Sequence, residues 1–215
     1  MTKRIITAAA LMFCSAAAYA TTITLTADNS NSYQQTVQSP CIFSNPSCTN
    51  GGFVATPLPT GGGVTGYDAY SPIYSGSTLK AIIGAGNSMM LGLDINQASG
   101  QPAQTLSLFT MIMNNVVVDT FSFAGTGNVP AGNNGNGYAD YLLSNFSSFS
   151  PGDLIQFHFV FNNANDGTEN VFLIGVPGTP PPPPSATPEP TNSMLIGSGL
   201  LVLGLAGRFR RKAKI

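Results

Sequence analysis

The chain contains no tryptophan and one histidine, His158. A single histidine cannot build a multi-histidine metal centre, and a Ser-His-Asp triad around it would have to recruit its serine and aspartate from remote stretches. The G-x-S-x-G nucleophile elbow is also missing. Cations are nearly as sparse. Between Arg4 and Arg208 the only basic side chain is Lys80, set against Asp28, Asp68, Asp94, Asp119, Asp140, Asp153, Asp166 and Glu169. Within residues 21–176, one lysine against these eight carboxylates gives a charge of −7, although the whole chain is formally −1. A surface so poor in Lys and Arg cannot neutralise phosphates, which argues against nucleic-acid binding. It argues equally against charge-driven attachment to an anionic membrane face. No catalysis is expected.

What is present sits first at the two ends. Residues 1–20 have the form of a secretory signal peptide: Lys3 and Arg4 as the positive start, an apolar run from Ile5 to Ala17, and Ala18-Tyr19-Ala20 as an A-x-A cleavage site. This implies the Sec machinery and signal peptidase as partners, and a mature chain starting near Thr21. Cys14 leaves with the peptide, so Cys41 and Cys48 remain, spaced C-x6-C among Ser, Pro, Asn and Thr. In an oxidising compartment an even pair reads as a disulfide closing a small surface loop. A zinc reading of the pair would need further ligands.

At the other end, Pro188-Glu189-Pro190 precedes an apolar span (192–207) and a basic tail (208–215) with Arg208, Arg210, Arg211 and Lys212. Apolar sequence closed by a positive cluster is a stop-transfer arrangement, the charges remaining on the cytoplasmic side. The span is short, about 24 Å at ~1.5 Å per residue against a hydrocarbon core of roughly 30 Å, which suits a temporary anchor. The order of these three pieces resembles the PEP-CTERM sorting signal of Gram-negative bacteria, here residues 187–212. The resemblance implies export, a transient inner-membrane helix, processing near Pro188-Glu189-Pro190 by an exosortase, and final residence in the cell envelope, on the surface or outside the cell. Residues 177–190, with Pro180 to Pro184 in a row, read as an extended polyproline stalk between anchor and body.

The exported body, residues 21–176, has the length of one domain with a substantial core. Its pattern is that of strands. Thr22 to Thr26 alternates, Leu79 to Ile83 and Met89 to Ile95 are short apolar runs, and Thr105–Met113 and Val116–Phe123 flank an Asn114-Asn115 hairpin turn. In Asp153–Phe161 the residues Ile155, Phe157, Phe159 and Phe161 share one face. Asn170–Val176 supplies a last strand, and Tyr138–Phe149 is read as strand although a helical face also fits. The expected fold is all-β, an antiparallel β-sandwich of jelly-roll or immunoglobulin-like kind with an N-terminal signal helix and a C-terminal transmembrane helix. Asn29–Gly76 shows little regular pattern and reads as a mobile arm, a set of poorly patterned edge strands or a binding loop system. Gly137-Tyr138-Ala139-Asp140-Tyr141-Leu142-Leu143, Ile155-Gln156-Phe157 and Asn165 to Gly175 together resemble the ectodomain of a recurring group of exosortase-dependent proteins, a group without an assigned activity.

Three places invite a functional reading. His158 lies mid-strand opposite the phenylalanines, where an exposed strand histidine is the plain interpretation. The run Asn162–Glu169 is rich in oxygen ligands, and Asp166 and Glu169 with Asn163, Asn165 and a distant Asp140 are candidates for calcium; a turn explains Asn-Asp-Gly equally well. Tyr67, Tyr70 and Tyr74 have the composition of a sugar-stacking surface, and edge packing is the alternative. The expectation is an exported structural or adhesive protein of a surface or exopolysaccharide matrix, without a cofactor. The alternative is a carbohydrate-binding module, with or without calcium.

Overall fold

A computed structural model of the protein describes residues 20–44, 48–59, 64–96, 104–122, 128–129, 137–164 and 169–178. In chain order the elements are β1 (Thr21–Thr22), β2 (Thr24–Ala27), β3 (Cys41–Ser44), β4 (Thr56–Pro57), β5 (Gly66–Tyr70), β6 (Tyr74–Ser75), α1 (Gly76–Ile83), β7 (Asn87–Asp94), β8 (Gln104–Met113), β9 (Val116–Ser122), β10 (Asn128–Val129), β11 (Tyr141–Ser144), β12 (Leu154–Asn162) and β13 (Asn170–Pro177). They form two mixed, mainly antiparallel sheets. The first has the order β1-β9-β8-β12-β5, with β10 on β8 and β6 on β12; the second runs β2-β11-β7-β13-β3-β4. The pairs β1–β9 and β3–β4 are parallel.

The phenylalanine alternation decides how the sheets meet. Ile155, Phe157, Phe159 and Phe161 of β12 are fully buried, and Phe43 of β3 reaches them from the opposite sheet. Its ring stacks on Phe159 at 5.3 Å and meets Phe109 edge-on at 6.5 Å. Each such ring contributes about 1.5–3 kcal/mol by leaving water, and its quadrupole favours these offset and edge contacts. The Asn114-Asn115 turn is realised as expected. Both residues have positive φ (52° and 65°), the conformation that matches the twist of a two-residue hairpin.

Several expectations are corrected. Leu79–Ile83 is helix, not strand: Ser75 caps α1 by accepting from the Thr78 amide, and Leu79 and Ile83, four apart, bury one face before Gly84 ends it at φ 90°. Asn29–Gly76 holds β3 to β6: β4 and β5 stand at sheet edges, in line with the edge-strand reading, whereas β3 lies inside its sheet and is buried at every residue. The alternating Thr22–Thr26 run is broken at Ile23, so that β1 joins β9 in one sheet and β2 joins β11 in the other. Within Tyr138–Phe149 only Tyr141–Ser144 is strand. The Cys41–Cys48 disulfide is formed, with its Cα atoms 6.3 Å apart. Among the described residues no helix is long and apolar enough to cross a membrane. Pro177, read as the start of the stalk, is instead the last residue of β13, paired with Asn87. Residues 1–19 and 179–190, the Pro188-Glu189-Pro190 motif among them, the apolar span and Arg208, Arg210, Arg211 and Lys212 lie outside the described residues.

Candidate functional site

Alternation puts Gln156, His158, Val160 and Asn162 on the outer face of β12. The register then lays polar neighbours beside His158. Tyr70 of β5 is its partner on one side and Thr110 of β8 on the other, Thr110 pairs with Thr120 of β9, and Thr120 with Thr22 of β1. The Tyr70 and His158 rings lie parallel, 4.1 Å apart at 3°. Asp68, one outward position along β5, brings Oδ1 to 2.7 Å from His158 Nε2, close enough to accept from an Nε2–H. The histidine side chain is 15% exposed and the aspartate 73%, so the ring is covered and its acidic partner faces water. Tyr70 is 51% exposed. Its carbonyl accepts from Thr56 Oγ1 at 2.7 Å, which ties the edge strand to the segment before it.

A second cluster lies where β7, β11 and β13 begin or end. Asp94, Asp140 and Glu169 are buried there, and their oxygens receive donors from neighbouring segments. Asp94 Oδ2 accepts from the Gly137 amide (3.1 Å) and from Asn170 Nδ2 (3.3 Å), and Asp140 Oδ2 accepts from the Ile95 amide (2.8 Å). Glu169 accepts from the Asn96 amide and, at 2.7 Å, from Gln104 Nε2. These carboxylates staple strand ends whose backbone donors would otherwise lack partners. Burial pushes Glu169 up to about 8, against the lowering effect of its two donors and helped by the negative charge of Asp94 and Asp140. Burial likewise pushes Asp94 up to about 6. Among the described residues no group of three or more His, Cys, Asp or Glu has the arrangement to hold a metal ion. Of the other calcium candidates, Asn165 and Asp166 lie outside them, and Asn163, just past β12, has φ 64° with its backbone amide donating to the Thr65 carbonyl.

The chain matches no family model, no curated protein and no solved structure. What the site can do is therefore read from geometry. The three tyrosines do not form one stacking surface: Tyr67 and Tyr74 are each 5% exposed. Tyr67 stacks on Phe159 and Phe161 within the core, and Tyr74 stacks on Phe53 at 4.9 Å and donates its hydroxyl to the Val54 carbonyl. Tyr70 alone faces outward because it is one strand position out of phase with Tyr67. His158 is no isolated surface histidine, since it is sandwiched in a cross-strand row with Tyr70 and Asp68. Sequence reading missed Asp68. The Asp68–Tyr70 spacing of two was visible, but the partner lies 90 residues away on another strand.

Proposed function

We propose that the protein is an exported, exosortase-sorted component of the cell envelope or extracellular material, with a structural or adhesive role. The observation that carries this reading is the order of the chain: an export leader, a body with one lysine and eight carboxylates, then Pro-Glu-Pro, an apolar span and a basic end. The Cys41–Cys48 disulfide supports it, because such bonds persist in oxidising compartments. In this reading residues 192–207 hold the chain transiently in the inner membrane. The polyproline stalk keeps the body clear of the bilayer, and exosortase acts near Pro188-Glu189-Pro190.

The test is mass spectrometry of the terminal peptides of the protein isolated from its native host, together with cell fractionation. We expect a mature start near Thr21 and a C-terminal peptide in which residues beyond the Pro-Glu-Pro motif are removed or exchanged for another group. Recovery of the protein from the cytosol with both ends intact would refute the reading.

A further inference from the structure

We propose that Tyr70, held flat on His158 and flanked by Asp68, is the stacking platform of a binding site for neutral glycans on the outer face of the β1-β9-β8-β12-β5 sheet. The inference deepens the adhesive reading above. It is tested on purified protein, so its outcome does not depend on where the protein is found in the cell.

The platform is built in advance. One face of the Tyr70 ring rests on the imidazole at 4.1 Å and 3°, and Asp68 fixes that imidazole at 2.7 Å. The Tyr70 carbonyl is held by Thr56. A ring that is already ordered loses little rotamer freedom when a ligand lands on it. Tyr70 remains 51% exposed, whereas its neighbours Tyr67 and Tyr74 are spent in the core. A sugar ring offers such a surface a face of weakly positive C–H groups, which suits the negative face of an aromatic ring, and a rim of hydroxyls. Asp68, 73% exposed and bound to His158 through Oδ1, is placed to accept from that rim.

The row continues across the sheet through His158, Thr110, Thr120 and Thr22. At about 4.8 Å between strands, the path from Tyr70 to Thr22 covers roughly 19 Å, a track suited to a linear oligosaccharide rather than a single sugar. Thr110, in the middle of this row, is itself buried, so the accessible threonines of the track are Thr120 and Thr22 at its far end. Half-buried Leu108 and Val160 beside Thr110 add weakly apolar surface. Charge then selects among glycans. The body has one lysine against eight carboxylates, and an exposed aspartate stands at the platform. A polyanionic chain would meet that exposed aspartate with no lysine or arginine nearby on the sheet to offset it.

The experiment is calorimetric titration of the full-length protein, in a detergent without a sugar headgroup, with cellohexaose, maltohexaose and laminarihexaose, and with an alginate oligomer as the anionic comparison. Amide NMR shifts are mapped in parallel. We expect saturable binding of at least one neutral hexaose, with the largest shifts at Asp68, Tyr70 and His158. Tyr70→Ala should weaken that binding roughly tenfold, and Tyr70→Phe by less than about threefold, since it keeps the ring. The proposal is overturned if no neutral hexaose binds, if the shifts centre elsewhere, if Tyr70→Ala binds like the parent, or if alginate binds more tightly. Should Tyr70→Ala fail to fold, the shift map of the parent protein decides between these outcomes.

Discussion

Raising the pH from 5 to 9 should destabilise this protein, and the loss should trace to Glu169. Its carboxyl has an ordinary value near 4.5 and is pushed up to about 8 in the fold, chiefly by burial. An acid raised in this way holds its proton in the native state and has lost it in the unfolded chain. Its contribution to stability is thus complete below about pH 4.5 and disappears as pH rises through 8. Each tenfold in proton affinity is worth about 1.4 kcal/mol, so Glu169 taken alone would account for on the order of 5 kcal/mol. Asp94, raised to about 6, adds in the same direction over a lower window, but the two titrate against each other. Allowing for that coupling and for relaxation, we expect about 2–4 kcal/mol in all, or roughly 5–15 °C in melting temperature for a domain of this size. The assay is urea and thermal unfolding of the full-length protein at half-unit steps of pH. Glu169→Gln cannot ionise and should flatten the curve above pH 6. It should also start lower at pH 5, because its amide NH2 must face either the Asn96 amide or Gln104 Nε2, a mismatch worth about 1–3 kcal/mol. A parent protein whose stability is flat or rises from pH 5 to 8, or a Glu169→Gln variant with the parental slope, refutes the reasoning. A cation among these carboxylates would hold them ionised and reverse the slope. We therefore expect melting to be the same with chelator and with added calcium.

Three further outcomes test the packing. Replacing both Cys41 and Cys48 by serine should cost about 2.5 kcal/mol on the loop-closure account, read as a lower urea midpoint without a change in the shape of the transition. Gly175→Ala should be more damaging than Gly86→Ala in thermal melts. A β-carbon at Gly175 would sit 1.9 Å from the Ile83 carbonyl and force α1 off β13, while Gly86 has open space around it and pays only for its φ of 80°. Phe159→Ala should cost about 3–5 kcal/mol in denaturant unfolding, because its ring contacts Phe43, Tyr67, Phe109 and Phe161 at the centre of the sandwich.

Local pattern was enough to reveal the strands that face one way throughout. Ile155 to Phe161 alternates with period two, and that period has only one physical use in a half-buried sheet. The Asn114-Asn115 turn was legible for a similar reason, since asparagine tolerates the positive φ that a tight hairpin needs. The short elements were not legible. Leu79 and Ile83 carry the i, i+4 signature of a helix, but eight residues give too few repeats to outweigh the apolar run they also make. Cys41–Ser44 is buried on both sides, so it shows no alternation at all.

The sequence by itself determined what the chain can exchange with its surroundings. The near absence of lysine and arginine from the body, the two ends and the cysteine spacing need no fold to be read. Only the tertiary structure decided which polar residues meet. Asp68 and His158 are 90 positions apart, and Tyr70 becomes a platform solely because β5 lies beside β12 in the register that sets it over the imidazole. Glu169, which looked like a ligand in an oxygen-rich loop, is a buried staple because Asn96 and Gln104 fold across it. Composition fixes the chemistry on offer; strand order and register fix its neighbours, because hydrogen bonds and ring contacts act over a few ångströms and the chain between their partners is long.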